Sequence, residues 1–169
     1  RNIADELISN MLKNGAYLIN AEQADRLAKV VLVEKTDKNG KVKKIVNRDC
    51  VGRDADVILS KIGINVSKDI RCIICETDFT HPFVQEELMM PILPIVRVDN
   101  IEQAIELAVK AEHGNRHTAH MHSKNIDHLS AFARAVETTI FVKNAPSYAG
   151  IGFGGEGHTT FTIAGPTGE

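Results

Sequence analysis

Apolar residues recur along this chain in two alternating rhythms. Ala4, Leu7, Ile8 and Met11 fall at i, i+3, i+4 and i+7, which predicts a helix from about Ile3 to Asn14. Asn2 stands where a cap belongs and Gly15 where the helix would stop. Ala16–Ile19 reads as a short strand. Asn20 and Gln23 have the spacing of a capping box, and Ala24, Leu27, Ala28 and Val31 continue one face of a second helix. A third helix is predicted from Asp54 to Ile62, with Ala55, Ile58, Leu59 and Ile62 inward and Gly63 behind it.

From Ile70 the rhythm becomes regular. Ile70–Cys75 and Ile92–Val98 read as apolar strands, with a turn at Thr80-His81-Pro82 between them. Asn100 caps a helix whose face is Ile101, Ala104, Ile105 and Ala108, closed by Gly114. A strand at His117–His122 precedes a helix from Asn125 carrying Ile126, Leu129, Phe132, Ala133 and Val136, and Thr139–Val142 forms the next strand. Strand–helix–strand repetition with continuously apolar strands implies parallel pairing, right-handed crossovers and a sheet covered on both faces. The expected class is α/β, a mostly parallel sheet flanked by helices, in a single domain over residues 1–169. One excursion interrupts it. Leu32–Val46 carries Asn39-Gly40 at its tip, which favours a tight hairpin. Its lysines, Lys35, Lys38, Lys41, Lys43 and Lys44, read as protection of solvated edges.

Composition narrows the function classes. With 169 residues, 43% hydrophobic and 25% charged, the chain has the makings of a globular core. Its net charge of -2 gives no basic field for nucleic acid. No apolar run has the length of a membrane span, so neither nucleic acid nor membrane is an expected partner. Cys72-x-x-Cys75 lies inside the apolar run Ile70–Glu76, where a redox pair would instead open a helix. These cysteines, with Cys50, read as structural and the compartment as reducing and cytoplasmic. His113, His117, His120 and His122 cluster, with His120 and His122 on one face of a strand, but no cysteine or carboxylate sits at ligand spacing beside them. No metal is expected there.

Seven of the twelve glycines lie between Gly150 and Gly168. Gly150-x-Gly152-x-Gly154-Gly155 fails the context of a dinucleotide fingerprint, since no strand directly precedes it and β-prone His158–Ile163 follows. A loop shaped around a ligand is the sharper reading of so much glycine in one place. Glu86-Glu87 before the strand beginning at Ile92 offers carboxylates that could accept hydrogen bonds from a sugar diol.

Three segments together resemble the catalytic part of the aldehyde dehydrogenase superfamily, and within it the CoA-acylating enzymes of ethanolamine and propanediol utilisation. They are Glu86-Glu87-Leu88-Met89-Met90-Pro91 with the strand after it, His117–Asn125, and Thr138 through Asn144, Pro146, Gly154 and Gly155 to Gly168. The resemblance implies that a cysteine thiolate attacks a short-chain aldehyde, that hydride passes to NAD, and that coenzyme A takes the acyl group. It places Glu87 at the nicotinamide-side ribose of NAD and Pro91 in the turn beneath it. It places Asn144 and Pro146 at the mouth of the substrate channel, with Gly154 and Gly155 along its wall. Met89 and Met90 stand where the wider superfamily has Phe-Gly. The family's nucleophilic cysteine corresponds to a position before Arg1, and its NAD-binding domain also lies upstream. No catalytic residue is therefore expected among residues 1–169, and the piece alone is expected to be inactive. The resemblance further implies a homo-oligomer and residence in the cytoplasm or inside a bacterial microcompartment, in reach of its shell. Two other readings stay open: a relative that hydrolyses its thioester with water, and a non-catalytic interaction domain of the same fold.

Overall fold

A computed structural model describes residues 3–36, 40 and 42–153. Among them the chain divides into two compact units, Arg1–Arg97 and Val98–Glu169.

The first unit is built on a three-stranded parallel sheet in the order β1-β4-β5, where β1 is Ala16–Ile19, β4 is Cys72–Glu76 and β5 is Ile92–Ile95. The central strand shows why an unbroken apolar run belongs there. Ile73 and Cys75 face a core made with Leu27, Val31, Ile58 and Leu59, whereas Ile74 faces Ile8 and Ala16 on the other side. Both faces are covered, so both sets of alternate side chains must be apolar. Pro94 cannot donate to a ladder and sits on β5, at the edge of the sheet.

Helix α1 (Ala4–Lys13) turns Ile8 inward. Leu7, expected on the same buried face, is 52% exposed, and α1 meets the sheet through Ile8 and the partly buried Met11. The expected cap Asn2 lies outside the described residues. Helix α2 (Ala21–Val31) follows the expectation closely. The Asn20 and Gln23 side chains accept from each other's backbone N–H at 2.8 and 2.9 Å, and Ala24, Leu27, Ala28 and Val31 are all buried. Strands β2 (Leu32–Thr36) and β3 (Val42–Val46) form the antiparallel hairpin, its base held by Leu32 opposite Val46 and its outer part exposed. Of the tip, Gly40 is described, at φ 78°. Helix α3 (Ala55–Ser60) buries Ala55, Ile58 and Leu59, and Ile62 is buried just beyond it.

A short helix, α4 (Pro82–Gln85), replaces the expected turn at His81-Pro82. Proline suits its first position because the missing N–H has no partner there anyway. His81 is not an exposed tip. Its Nδ1 accepts from the Phe83 N–H at 3.1 Å, its ring meets Phe83 edge-on at 4.8 Å, and Nε2 lies 3.5 Å from an Asp25 carboxylate oxygen. An imidazole nitrogen here does what serine or aspartate usually does at a cap. Arg97, just past β5, pairs with Glu76 and with Asp5 of α1 at 2.5 Å. That guanidinium holds the Glu76 carboxyl below its ordinary range.

The second unit holds α5 (Ile101–Ala111), β6 (Thr118–Met121), α6 (Ile126–Val136) and β7 (Ile140–Lys143), with β6 and β7 parallel. Asn100 caps α5 through Gln103, and Asn125 caps α6 through Asp127 and His128. Leu129, Phe132 and Val136 are buried as expected, but Ile126, in the first turn of α6, is 62% exposed. The apolar face of α5 is half-buried rather than buried. Three of the observed strands, β4, β5 and β6, are one to three residues shorter than the runs that announced them, whereas β1 has the expected bounds and β7 is shifted by one residue. No helix among the described residues is long and apolar enough to cross a membrane.

Candidate functional site

In the first unit the candidate site is the loop from Glu86 to Pro91. Its alternation comes from one anchor. Leu88 is 5% exposed and joins the main core, which turns its neighbours Glu87 and Met89 outward. Backbone bonds fix both ends. The Glu86 N–H donates to the Pro82 carbonyl at 2.9 Å, and the Ile73 N–H donates to the Pro91 carbonyl at 2.8 Å. Met89 adopts φ 55°, a left-handed conformation costly for a side chain of its size, and its carbonyl accepts from the Gly52 N–H at 3.2 Å. Glu87 is thus an exposed carboxylate on a loop tied down around it.

Beside this loop lies a hollow of about 690 Å³ lined by Gly52, Arg53, Asp54, Lys68, Arg71 and the Met89–Pro91 stretch, among others. Three cations meet one carboxylate there. Sequence reasoning missed this arrangement: Arg53 stands before α3, and Lys68 and Arg71 in the connection that leads to β4, with no motif spacing.

In the second unit the candidate site begins where β7 ends. Asn144 takes φ 54°, which asparagine tolerates better than most residues. Its side chain works as a false strand. Oδ1 accepts from the Ser123 N–H at 2.8 Å and Nδ2 donates to the Ser123 carbonyl at 2.9 Å, while its own N–H donates to the Met121 carbonyl. Asn144 therefore locks the exit of β7 to the exit of β6. Pro146, exposed at φ -68°, opens a 3₁₀ turn over Ser147–Ile151. That turn lies against β7, and Gly150 makes the approach possible: a Cβ there would stand 2.3 Å from Ile140 Cγ2 and 2.8 Å from Val142 Cγ2. Tyr148 and Phe153 meet edge-on at 6.3 Å on the exposed side. Gly154 and Gly155, and the β-like run His158–Ile163, lie outside the described residues.

The remaining candidates resolve simply. His120 and His122 do share a face, their rings edge-on at 5.9 Å. Among the described residues no three His, Cys, Asp or Glu side chains come together as metal ligands would. Cys75 and Cys72 point to opposite faces of β4, Cys75 into the main core and Cys72 toward Ile8 and Ala16, so they can neither bridge nor chelate in place. Cys50 is fully buried. Burial, then the neighbouring Cys72, pushes the Cys75 thiol up to about 11, and burial raises Cys72 as well. A protonated thiol is a poor nucleophile.

A folded-state value above the unfolded one favours the native state while the thiol is protonated. The contribution is complete below pH about 9 and disappears as pH rises through about 11. The expected loss is about 3 kcal/mol. Denaturant midpoints measured across that range should fall more steeply for the native protein than for Cys75→Ala. Parallel curves would contradict the assignment.

The first unit presents a carboxylate loop before a parallel strand, and the second a glycine-built turn after one. The sequence model of the aldehyde dehydrogenase family matches residues 71–166, and the chain belongs to that family. Acetaldehyde dehydrogenase (acetylating) EutE of Salmonella typhimurium is 51% identical over 99% of this chain and 35% of its own length. A propionaldehyde dehydrogenase from the Clostridium phytofermentans fucose-utilisation bacterial microcompartment superposes with a TM-score of 0.86 at 53% identity, covering 99% of this chain and 37% of that one. Rhodopseudomonas palustris propionaldehyde dehydrogenase, with bound CoA and an acylated cysteine, gives the same TM-score, identity and coverage. The chain spans about a third of the length of these relatives. The α/β class expected from the sequence, with parallel strands, flanking helices and one antiparallel hairpin, is the one observed, and it matches that of these structures.

Proposed function

We propose that the protein carrying this chain is a CoA-acylating, NAD-dependent aldehyde dehydrogenase acting on a short-chain aldehyde. The observation that carries this reading is the high identity, across essentially the whole chain, to relatives named as acetylating or CoA-linked.

In this reading an activated thiolate from a part of the protein other than Cys50, Cys72 and Cys75 adds to the aldehyde carbonyl. Bound NAD would accept the hydride that leaves the resulting thiohemiacetal. The acyl thioester left on the enzyme passes its acyl group to the CoA thiol, which releases the enzyme's thiolate. Glu87 fits the binding role expected of it. It is an acid, exposed, on a loop held at both ends, and a carboxylate there can accept both hydrogen bonds of a ribose diol. Pro91 fixes the chain direction beneath it. Asn144 and Pro146 would set the rim of the aldehyde channel, Asn144 by holding two strand exits together rather than by offering a free amide. Gly154 and Gly155 would continue its wall. Association into a homo-oligomer and residence within a microcompartment, near its shell, extend the same reading.

The test is product identity. The intact protein, given propionaldehyde, NAD and CoA, should form propionyl-CoA and NADH in equal amounts, read by mass spectrometry and absorbance. Propionic acid formed at the same rate without CoA would favour the hydrolytic relative. The absence of any NADH would favour an interaction domain.

A further inference from the structure

We propose that His81 is a positioning residue: through the cap it gives α4, it holds the Glu86–Pro91 loop in the geometry that Glu87 needs to bind NAD. The inference rests on the reading of Glu87 as the ribose carboxylate and adds to it the residue that orders the loop. A helix of four residues has no stability of its own, since the first turn is the costly one to form. Side chains hold α4 instead. The Phe83 N–H donates to His81 Nδ1 at 3.1 Å, and Gln85 Nε2 donates to the Phe79 carbonyl at 2.5 Å. Phe83 is 4% exposed and joins the core cluster that also takes Leu88. The turn of α4 is the loop's first anchor, because the Glu86 N–H ends on the Pro82 carbonyl. Glu87 stands between that bond and the buried Leu88.

The usual capping residues offer an oxygen that accepts throughout the neutral range. A ring nitrogen accepts only while it carries no proton. An accepting Nδ1 puts the neutral ring's proton on Nε2, which lies 3.5 Å from Asp25 Oδ1 of α2, with the His81 side chain 11% exposed. A second proton would go to Nδ1 and set one N–H against the N–H of Phe83. The cap is present when the ring is neutral and lost when it is charged. Two carboxylates face the ring and give the charged form a partner once the cap is gone. They are Asp25 and Asp78, the latter held below its ordinary range by hydrogen bonds from Thr80 and, to a lesser extent, by His81. Lys29, one turn along α2 from Asp25, is a cation on the same side. The residues of α4, Pro82–Gln85, carry no charge. Lowering the pH should therefore loosen the loop.

The experiment is steady-state kinetics of the intact protein with NAD as the varied substrate. His81→Phe keeps an aromatic ring against Phe83 but has no acceptor. His81→Asn keeps an acceptor where Nδ1 stands but has no ring and no proton to gain. His81→Phe should raise the KM for NAD about fivefold, with kcat and the KM for CoA unchanged, and His81→Asn should stay near the native value. Between about pH 8 and about pH 5.5, where imidazoles change charge, the KM for NAD should rise in the native protein and stay level in His81→Asn. That comparison decides the matter even if His81→Phe does not fold. An unmoved KM in His81→Phe, an equal rise in both variants, or parallel pH profiles would overturn the proposal. Glu87→Gln separates this from a failure of the ribose reading. If Glu87→Gln leaves the KM for NAD unmoved, that reading falls and the proposal with it. If Glu87→Gln raises it and His81→Phe does not, the positioning role alone falls.

Discussion

Purified by itself, the 169-residue chain should form no NADH from propionaldehyde, NAD and CoA, under conditions in which the intact protein turns over. The reason is chemical. Covalent acyl transfer needs a thiolate that can reach the aldehyde. Cys50 and Cys75 are fully buried, and the Cys75 thiol sits at about 11. Cys72 is half-buried on a central strand, its thiol also raised. At neutral pH Cys72 and Cys75 are neutral thiols on a paired strand. Activation by a helix N-terminus or a neighbouring cation, the usual means of lowering a cysteine, is absent from the Cys75 and Cys72 environments, where the named influences all raise. The loss should be complete rather than partial. Measurable turnover by the isolated chain, abolished by Cys72→Ala, would show that a thiol in β4 is the nucleophile after all.

The second large effect is structural. Gly150→Ala should destabilise the protein by about 2–3 kcal/mol, because the new methyl meets Ile140 and Val142. Both partners are β-branched, largely buried and on a paired strand, so neither can rotate away cheaply. The 3₁₀ turn would have to lift from β7, moving Pro146 and the Tyr148–Phe153 pair with it. Gly114→Ala is the comparison. Its φ is 79° but nothing lies within 4 Å of the added atom, so about 1 kcal/mol of backbone strain is expected. Thermal or denaturant unfolding of the two variants separates the mechanisms. Equal, small losses would mean that the turn does not sit on the strand.

Much of the fold was legible because single signals agreed with one another. At α2 the cap, the box partner and four apolar positions all pointed to one helix, and all hold. At β4 an unbroken apolar run could only be a strand covered on both sides. Asn100 and Asn125 marked the starts of helices that the apolar positions after them also announced. Legibility failed where tertiary context decides. Leu7 and Ile126 have the right spacing for burial, yet both are exposed, because spacing alone does not say which positions of a face meet a partner. The four residues of α4 are too few to show a period, and a histidine cap is not a common signature. The site was legible unevenly. Glu86-Glu87 stood out by its place before a strand and the Asn144–Pro146 turn by its place after one, whereas the roles expected of Glu87, Pro91, Asn144 and Pro146 came from the resemblance. The strand-bridging work of Asn144 was not legible, since it depends on Ser123 arriving from another strand. The basic hollow was least visible of all, because Arg53, Lys68 and Arg71 meet only once α3, β4 and the Met89 loop are assembled.

The most direct measurement is to map where the acyl group rests. Intact protein held with propionaldehyde and NAD in the absence of CoA, then digested at low pH and read by mass spectrometry, should carry one propionyl thioester on a cysteine outside residues 1–169, discharged on adding CoA. A propionyl group on Cys50, Cys72 or Cys75, or no thioester at all while NADH accumulates, would contradict the account.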